Sequence, residues 1–241
     1  MREACIVAFR ILPGKGPPMA RVILGVTGSV AAIRTPELFV AIRAQEHLVR
    51  VVATEPALYF FDAGQLASRR WKPTDEEPAD PVFRDRDEWP GLHYRRGDPV
   101  LHVEFRKWAD LLIIAPLDAN TLAKLALGLC DNFLTCLFRA WDFSKPVILA
   151  PAMNTLMWKS PLTDRHLGQL LLDHGGITAL PPGWNLETAP EHFALHAPNL
   201  VLIPPQSKQL ACGDVGLGAM AEVATIAEVV RAWSELETPD G

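Results

Sequence analysis

The sequence predicts a single α/β domain built on a doubly wound parallel sheet of the flavodoxin-like, Rossmann-like kind. Short apolar runs, typical of strands buried on both faces, alternate with helix-length segments along the chain. The chain has 241 residues, and 49% of them are hydrophobic, which is enough for one large core. Because strands and helices alternate and no repeat is present, we expect helices on both faces of one parallel sheet.

The first half of the domain contains three predicted strands. "RVILGV", Arg21–Val26, is a short buried run, and a turn followed by a helix accounts for residues 27–45. Residues 48–54 and 109–117 are the second and third strands, and the third is the strongest of the apolar runs. Residues 71–99 are rich in proline and charge, so we expect a long surface loop there.

The second half continues the alternation with one interruption. The predicted elements are a long helical segment over residues 120–141, a buried strand over 145–153, a helix over 163–175 that ends at a glycine, a strand over 199–205 and an amphipathic closing helix over 220–236. Residues 178–199 carry several prolines and no clean hydrophobic period, so we expect an insertion loop there. Residues 1–20 are expected to form an N-terminal extension, and residues 21–236 the domain.

The charge and the cysteine content argue against several classes of function. A net charge of −5 gives no basic surface for nucleic acid, although amides at a helix N-terminus can still hold a small anion. The apolar run over residues 5–12 is too short to span a membrane, and we expect no membrane association. No C-x-x-C spacing occurs, so we expect no metal site and reduced thiols in a cytoplasmic protein; the four cysteines are Cys5, Cys130, Cys136 and Cys212.

The first strand ends in "GVTGSVAA", a turn that can hold a phosphate. Glycine permits a tight turn, and the amides around Gly28, Ser29 and Val30 would point towards an anion at the N-terminus of the next helix. The spacing is not G-x-G-x-x-G, which disfavours a dinucleotide site, although Glu55 could still serve as a ribose-binding acid. On this motif alone, a mononucleotide phosphate site and an ordinary strand-to-helix turn are equally supported.

Polar residues also follow the strands of residues 109–117 and 145–153. "APLDANT" places Asp118, Asn120 and Thr121 at the carboxyl end of a strand, where open α/β sheets bind ligands. The same residues suit a helix cap, and the two roles are compatible. "PAMNTLMW" places Asn154 at the same edge of the sheet, and an asparagine side chain can pair with a carboxylate or an amide.

Two residues are candidates for proton transfer. His102, in "DPVLHVEF", precedes the third strand beside the predicted cleft, and histidine exchanges protons near neutral pH, although a lone histidine is more often structural. Cys212 lies in "LACGDVGLGAM", among glycines and an aspartate. A buried structural thiol is common for cysteine, but it would explain the surrounding glycines poorly.

Four motifs occur in a fixed order along the chain: "GVTGSVAA", "WADLLIIAPLDANTLAKLALGLCDN", "RAWDFSKPVILAPAMNTLMW" and "LACGDVGLGAMAE". Together they resemble the flavin-containing cysteine decarboxylases, in particular the eukaryotic phosphopantothenoylcysteine decarboxylases of coenzyme A biosynthesis. The similarity covers roughly residues 21–233 and is interrupted at two loops. The combination of "PAMNTLMW" with the final glycine-rich motif is the most specific part of it.

The resemblance implies a cofactor, a substrate and a role for each site residue. The implied cofactor is FMN, held by Gly28, Ser29, Val30, Thr54, Asp118, Ala119, Asn120, Thr121 and Ala152. The implied substrate is phosphopantothenoylcysteine, bound through Asn154, Met157, Ala211 and Gly213. His102 is implied as the base and Cys212 as the proton donor of the reductive half-reaction. A homotrimer with flavin sites at the subunit contacts is implied as well.

Three other functions share parts of this pattern. A peptidyl-cysteine decarboxylase of the same superfamily would act on the C-terminal cysteine of a peptide, and "PAMNTLMW" argues against it. A phosphatase-inhibiting regulatory flavoprotein would carry a long acidic tail and often lack a catalytic residue, whereas His102, Asn154 and Cys212 stand in one chain here. A flavin prenyltransferase-like protein would share the fold but need no cysteine at the position of Cys212.

Overall fold

Six parallel strands form the central sheet of this protein, as seen in a computed structural model that describes residues 16–17, 19–67, 80–209 and 215–235. The strand order is β3-β2-β1-β4-β5-β6, and every neighbouring pair is parallel. The strands are β1 (Arg21–Val26), β2 (Leu48–Ala53), β3 (Val82–Arg84), β4 (Leu111–Leu117), β5 (Val147–Pro151) and β6 (Leu200–Leu202). The predicted doubly wound α/β fold is therefore confirmed.

The order of the strands positions the functional site. The chain moves from β1 outwards to β3, then returns to the other side of β1 and moves outwards again from β4 to β6. The neighbouring strands β1 and β4 thus mark the point where the winding reverses. Crossover connections leave these two strands in opposite directions, which opens a crevice at their carboxyl ends. Every residue of β4 and of β5 is buried, as continuous apolar strands require.

Helices cover both faces of the sheet. One face packs against α1 (Thr35–Arg43) and α10 (Val223–Glu235), whose apolar sides include Phe39 and Val230. The other face carries a second core cluster with five helices, which are α4 (Leu101–Trp108), α5 (Ala119–Leu127), α6 (Phe133–Arg139), α8 (Pro161–His174) and α9 (Ala189–His196). The remaining turns are α2 (Gly64–Ala67), α3 (Asp85–Glu88), α7 (Thr155–Trp158) and two 3₁₀ helices, Val30–Arg34 and Glu55–Tyr59.

The predicted long helix over residues 120–141 is wrong, because the structure has two helices there. Helix α5 ends at Gly128, which adopts a left-handed φ of 69° and donates its N–H to the Leu125 carbonyl. A new helix, α6, then begins after Asn132, whose side chain accepts from the Thr135 amide. The apolar residues on several faces of the segment come from two helices with different orientations.

The two segments predicted as loops contain regular structure. Strand β3 and helix α3 fall within residues 71–99, and three-residue β3 is too short for its apolar pattern to stand out against the surrounding charges. Residues 68–79 lie outside the described residues. Helix α9 occupies the second half of the predicted loop 178–199, and Phe193 from it is fully buried in the core. The prolines hid this helix, because Pro190 lies in its first turn, where proline is tolerated.

A two-stranded antiparallel ribbon, β7 (Gln206–Gln209) with β8 (Val215–Ala219), was not predicted. The residues that join the two strands, 210–214, lie outside the described part of the chain. The ribbon contacts the domain at Gly218, whose carbonyl accepts from the Met153 amide at 3.0 Å. Gly218 has a φ of 148°, and a Cβ there would lie 2.2 Å from the Met153 carbonyl oxygen, so only glycine fits.

At the N-terminal end, the described chain contacts the domain before residue 21, where the domain was expected to begin. The last residues of the predicted extension contact the domain: the Gly16 amide donates to the Trp233 carbonyl at 2.9 Å, and Ala20 is fully buried. Residues 1–15 and 236–241 lie outside the described residues. Among the described helices, none is long and apolar enough to cross a membrane.

Candidate active site

The carboxyl ends of β1 and β4 are joined by one buried threonine. The Thr27 hydroxyl donates to the Pro116 carbonyl at 2.8 Å and accepts from the Asp118 amide at 2.7 Å. The Thr27 amide also donates to the Pro116 carbonyl, at 3.3 Å. Because both strands are fixed at the crossover point, Gly28 and Asp118 are held side by side: a Cβ on Gly28 would lie 3.2 Å from Asp118 Oδ2.

The turn packs so closely around Gly28 that a larger residue would not fit there. A Cβ at this position would also lie 2.6 Å from Pro56 Cβ, which belongs to the 3₁₀ helix that follows β2. The turn is thus enclosed by three strand ends. The predicted amide cradle needs one correction, since the Ser29 amide already donates to the Thr27 carbonyl at 2.8 Å. Ser29 is half-buried and can offer its hydroxyl, while neighbouring Val30 is 44% exposed.

The other predicted cofactor residues line the same edge of the sheet, which we call the strand-end rim. Thr54 follows β2, and its amide donates to the Val26 carbonyl at 3.0 Å. Ala152 follows β5, and its amide donates to the Leu117 carbonyl at 2.9 Å. Both residues are almost fully buried, at 4% and 2% exposure. Their main chains form the floor of the rim between the strand ends.

Asp118 combines a structural role with exposure to the rim. Its Oδ1 accepts from the Thr121 amide at 2.7 Å and so caps helix α5. The other oxygen, Oδ2, faces Gly28. Ala119 is half-buried, Asn120 is exposed and Thr121 is buried, so a ligand at the rim would meet these residues at different depths. Capping and ligand contact are therefore compatible at Asp118, as the sequence predicts.

Asn154 is exposed at the carboxyl end of β5. Its Oδ1 accepts from the Met157 amide at 2.8 Å and caps the short helix α7, which leaves the side-chain NH₂ as the group that can donate to a ligand. Leu156 and Met157 beside it are 81% and 46% exposed. The ribbon contacts the preceding residue, Met153, through Gly218. Cys212, Ala211 and Gly213 themselves lie outside the described residues.

His102 lies near the start of α4 and is bound by a buried carboxylate. Its Nδ1 is 2.5 Å from Glu88 Oε1, and its backbone amide donates to Glu88 Oε2 at 2.9 Å. The Glu88 side chain is 3% exposed and that of His102 25%. Glu88 belongs to α3, which follows the carboxyl end of β3 directly, so His102 lies at the same edge of the sheet as the rim.

Comparison with known proteins identifies the family. A family model described as Flavoprotein matches residues 15–235. The chain belongs to this family. The match begins six residues before the region expected from the motifs, in agreement with the contacts of Gly16 and Ala20.

Individual relatives of this flavoprotein are decarboxylases. The chain is 46% identical over 219 residues to a phosphopantothenoylcysteine decarboxylase of Arabidopsis thaliana, covering 91% of this chain and 87% of that protein. It is 45% identical over 213 residues to the phosphopantothenoylcysteine decarboxylase of Mus musculus, with 88% and 86% coverage. A solved structure of a cysteine-to-serine mutant of PPC decarboxylase complexed with pantothenoylaminoethenethiol is 43% identical, with a TM-score of 0.70 over 90% of this chain and 100% of that one. The resemblance drawn from the motifs is thus confirmed.

The rim of this flavoprotein suits a flat, anionic cofactor. A Cβ at Gly28 would overlap Pro56, small residues flank the turn, and Ser29 and Asn120 offer polar side chains at the surface. Two cavities of about 430 and 460 Å³ lie elsewhere, between α5, α6 and α8 and beside residues 58–63. Neither is lined by Gly28, Asp118 or Asn154.

The sequence analysis did not single out the acidic turn Asp85–Glu88, which lies at this edge of the sheet and contacts His102. Asp85 Oδ1 accepts from the Phe133 amide at 3.0 Å and so links the turn to α6. Burial raises the pKa of Asp85, and its bonds to the amides of Phe133 and Glu55 oppose that rise. The signal in the sequence is "PVFRDRDEW", where a short apolar run precedes the acids, but its charges resemble a solvated loop.

Proposed function

We propose that this flavoprotein decarboxylates phosphopantothenoylcysteine to 4′-phosphopantetheine with FMN as its cofactor. The observation that carries the proposal is the match, over 90% of the chain and at 43% identity, to a PPC decarboxylase complexed with pantothenoylaminoethenethiol. A second solved relative, 44% identical with a TM-score of 0.66, is described as an FMN-binding protein. The site geometry supports the same function, because a base, a carboxylate-binding amide and an anion-binding turn lie at one edge of the sheet.

The strand-end rim is the proposed site of FMN. Gly28, Ser29 and Val30 would hold its phosphate, and the strand ends would support its ring through Thr54, Asp118, Ala119, Asn120, Thr121 and Ala152. When bound, FMN supplies the electron sink that a plain cysteine carboxylate lacks, because it takes two electrons from the thiol end of the substrate and later returns them. The buried main chains of Thr54 and Ala152 would exclude water from one side of the site.

Asn154 and His102 would act on the substrate before CO₂ leaves. The Asn154 NH₂ group would donate to the substrate carboxylate, since its Oδ1 is already bound by the Met157 amide. Met157, nearly half exposed beside it, would contact the aliphatic part of the substrate. The ring of His102 would accept the proton that leaves the substrate during its oxidation. Asn154 would hold the carboxylate until the carbon–carbon bond breaks.

Cys212 would act after CO₂ has left. The product of decarboxylation is an enethiol, and a proton must reach one carbon when this is reduced to the saturated thiol. A thiol is a suitable donor because its reference pKa of about 8.5 is close to neutral. The segment that carries Ala211, Cys212 and Gly213 joins strands β7 and β8, and β8 contacts the residue beside Asn154. A short connection of this kind can bring the thiol to the bound substrate.

The exposed apolar residues at the rim support a homotrimer in which a neighbouring subunit completes each site. Apolar side chains around the rim are exposed in one chain: Val30 is 44% exposed, Ile33 56% and Leu156 81%. Exposed apolar residues beside a binding site are typical of an interface. A cytoplasmic location fits the reduced thiols, among them exposed Cys130 and half-buried Cys136.

The test is to measure FMN content and CO₂ release with two substrates. Purified protein is reconstituted with FMN and given either phosphopantothenoylcysteine or a peptide that ends in cysteine. We expect a yellow protein that releases CO₂ from phosphopantothenoylcysteine and far less from the peptide. Preference for the peptide would indicate a peptidyl-cysteine decarboxylase. A protein that stays colourless, or that binds FMN without releasing CO₂ from either compound, would contradict the proposed function.

A further inference from the structure

We propose that Glu88 is a positioning residue for His102, which fixes the imidazole as the tautomer protonated at Nδ1 and leaves Nε2 as the atom that accepts the substrate proton. The inference rests on the proposed function only for the identity of that proton. The geometry that carries it is independent of any substrate. It concerns a residue of the acidic turn, a segment that the sequence motifs of the family resemblance do not include.

The two oxygens of Glu88 make two different bonds to the same residue. Oε2 accepts from the His102 backbone amide at 2.9 Å, and Oε1 lies 2.5 Å from the ring nitrogen Nδ1. An ionised carboxylate can only accept hydrogen bonds, so the proton in the second bond must belong to Nδ1. A neutral imidazole carries one proton, and Nε2 is then unprotonated. The ring is therefore held with its basic nitrogen pointing away from the carboxylate.

Burial makes this arrangement more than a surface ion pair. The Glu88 side chain is 3% exposed, against 25% for the side chain of His102. A carboxylate removed from water is costly unless its oxygens are bound, and both are bound by His102. Losing either partner would leave a buried oxygen unsatisfied, so the pair keeps one geometry. The exposed part of the pair is the ring, which is the part that must meet a substrate.

The surroundings hold Glu88 in place from both ends of the acidic turn. At its start, the Arg84 amide donates to Asp87 Oδ2 at 2.7 Å, and Asp85 binds the Phe133 amide. On the other side of the pair, Phe105 of α4 is buried, with its ring 4.7 Å from that of Phe83 and 5.2 Å from that of Phe133. Strand β3, the acidic turn, α4 and α6 are therefore packed together, and this packing sets the distance from Glu88 to His102.

The chemical consequence is a stabilised imidazolium. When Nε2 takes a proton from the substrate, the ring becomes positively charged, and the carboxylate beside Nδ1 stabilises that charge. The proton stays on Nε2 until it is returned or lost to water, and Glu88 itself gains none.

A plain helix cap is the alternative account of Glu88. The His102 amide lies in the first turn of α4, where N–H groups have no partner within the helix, and Oε2 alone would satisfy it. A cap does not need Oε1 at the ring. Glu88→Gln separates the two roles. Its side-chain oxygen can still accept from the His102 amide, and its NH₂ group then faces Nδ1, which favours the tautomer protonated at Nε2 and removes the free base.

The experiment uses FMN-loaded protein with ¹⁵N-labelled histidine and compares wild type, Glu88→Gln and Glu104→Gln. Glu104 is a matched control, because it is an exposed carboxylate two residues from His102 on the same helix. The His102 signals are assigned by their loss in His102→Asn. We expect Nδ1–H in wild type and in Glu104→Gln, and Nε2–H in Glu88→Gln. We also expect kcat of Glu88→Gln to fall by about 10²–10⁴-fold, with FMN content and KM close to wild type.

Three outcomes would overturn the inference. The first is a wild-type His102 that carries its proton on Nε2, a result that needs no variant and decides the matter even if Glu88→Gln fails to fold. The second is an unchanged tautomer in folded Glu88→Gln. The third is normal kcat despite a changed tautomer. If wild type releases no CO₂, the proposed function fails, while the tautomer measurement still tests whether Glu88 positions the ring.

Discussion

The strand-end rim and the acidic turn lie at the same edge of the sheet, but they are held in different ways. At the rim, one threonine and several backbone amides join neighbouring strands, and Thr27 binds a residue 91 positions away because β1 and β4 are adjacent. In the acidic turn, two carboxylates, Asp85 and Glu88, reach residues 48 and 14 positions away on separate helices. The rim thus follows from strand order, whereas the turn depends on individual side chains.

This difference predicts different responses to substitution. At the rim, the strand ends pack closely against one another, so a substitution matters when it fills space that a ligand or a neighbouring strand needs. In the acidic turn, each carboxylate satisfies specific buried donors, so a substitution matters when it removes an acceptor, even if the volume is unchanged.

Gly28→Val should give folded protein without flavin. Its Cβ would lie 2.6 Å from Pro56 Cβ and 3.2 Å from Asp118 Oδ2, so the turn must shift away from the phosphate position. Gly91→Val is the control, because a Cβ at Gly91 has its nearest neighbour at 3.7 Å. The measurement is the flavin absorbance of both proteins after reconstitution with FMN, together with circular dichroism. A yellow Gly28→Val protein would show that the phosphate binds elsewhere.

His102→Asn should keep its flavin but lose turnover. A general base typically contributes about 10²–10⁴-fold, and a carboxamide cannot replace it. The matched control is His93→Asn, since His93 is exposed in the loop before α4. CO₂ release and flavin absorbance are recorded for both variants. Near-normal turnover of His102→Asn would show that His102 is a structural residue and not the base.

Asn154 offers a test that separates binding from helix capping. Asn154→Asp retains an oxygen for the Met157 amide but places a negative charge beside the substrate carboxylate, whereas Asn154→Ala loses the cap, at a cost of about 1 kcal/mol. If Asn154 binds the carboxylate, KM should rise more in Asn154→Asp than in Asn154→Ala. A loss of about 1.4 kcal/mol of binding free energy corresponds to a rise of about tenfold. Thermal stability should fall more in Asn154→Ala. Equal and normal KM values in both variants would place the carboxylate elsewhere.

The smallest expected effect concerns the thiols beside the acidic turn. Burial raises the pKa of Cys136 to about 11, with further contributions from Cys130 and from the charge of Glu88. At pH 8 only about one Cys136 in a thousand is a thiolate, so alkylation should rise about tenfold per pH unit between pH 8 and 10. Exposed Cys130 should be labelled first. Mass spectrometry of peptides after timed labelling measures both rates, and equally fast labelling of Cys136 at pH 8 would contradict its burial.

The contrast also explains which parts of the fold and of the site could be predicted from the sequence alone. Continuous apolar strands and the polar residues after them predicted the parallel sheet and the positions of Gly28, Asp118 and Asn154 at one of its edges, because a parallel sheet brings strand ends together. The break at Gly128 was missed, since a left-handed glycine inside an apolar helical pattern gives no signal of its own. Glu88 was missed because a charged side chain in a proline-rich segment reads as solvated. Its burial arises only when β3 adds to the edge of the sheet and brings the turn against α4 and α6.

The central claim is that the base at His102 acts before CO₂ leaves and the thiol at Cys212 acts after it. The most direct measurement is a single turnover without oxygen, with flavin absorbance, CO₂ and product mass recorded in parallel for Cys212→Ser and His102→Asn. The account predicts that Cys212→Ser releases CO₂ once, leaves the flavin reduced and accumulates the enethiol, because a serine hydroxyl is a far weaker acid than a thiol. His102→Asn should show none of these signals, and neither should the double variant that combines it with Cys212→Ser. Two results would contradict this order of steps. Cys212→Ser could form phosphopantetheine at the normal rate, or it could bind substrate without releasing CO₂.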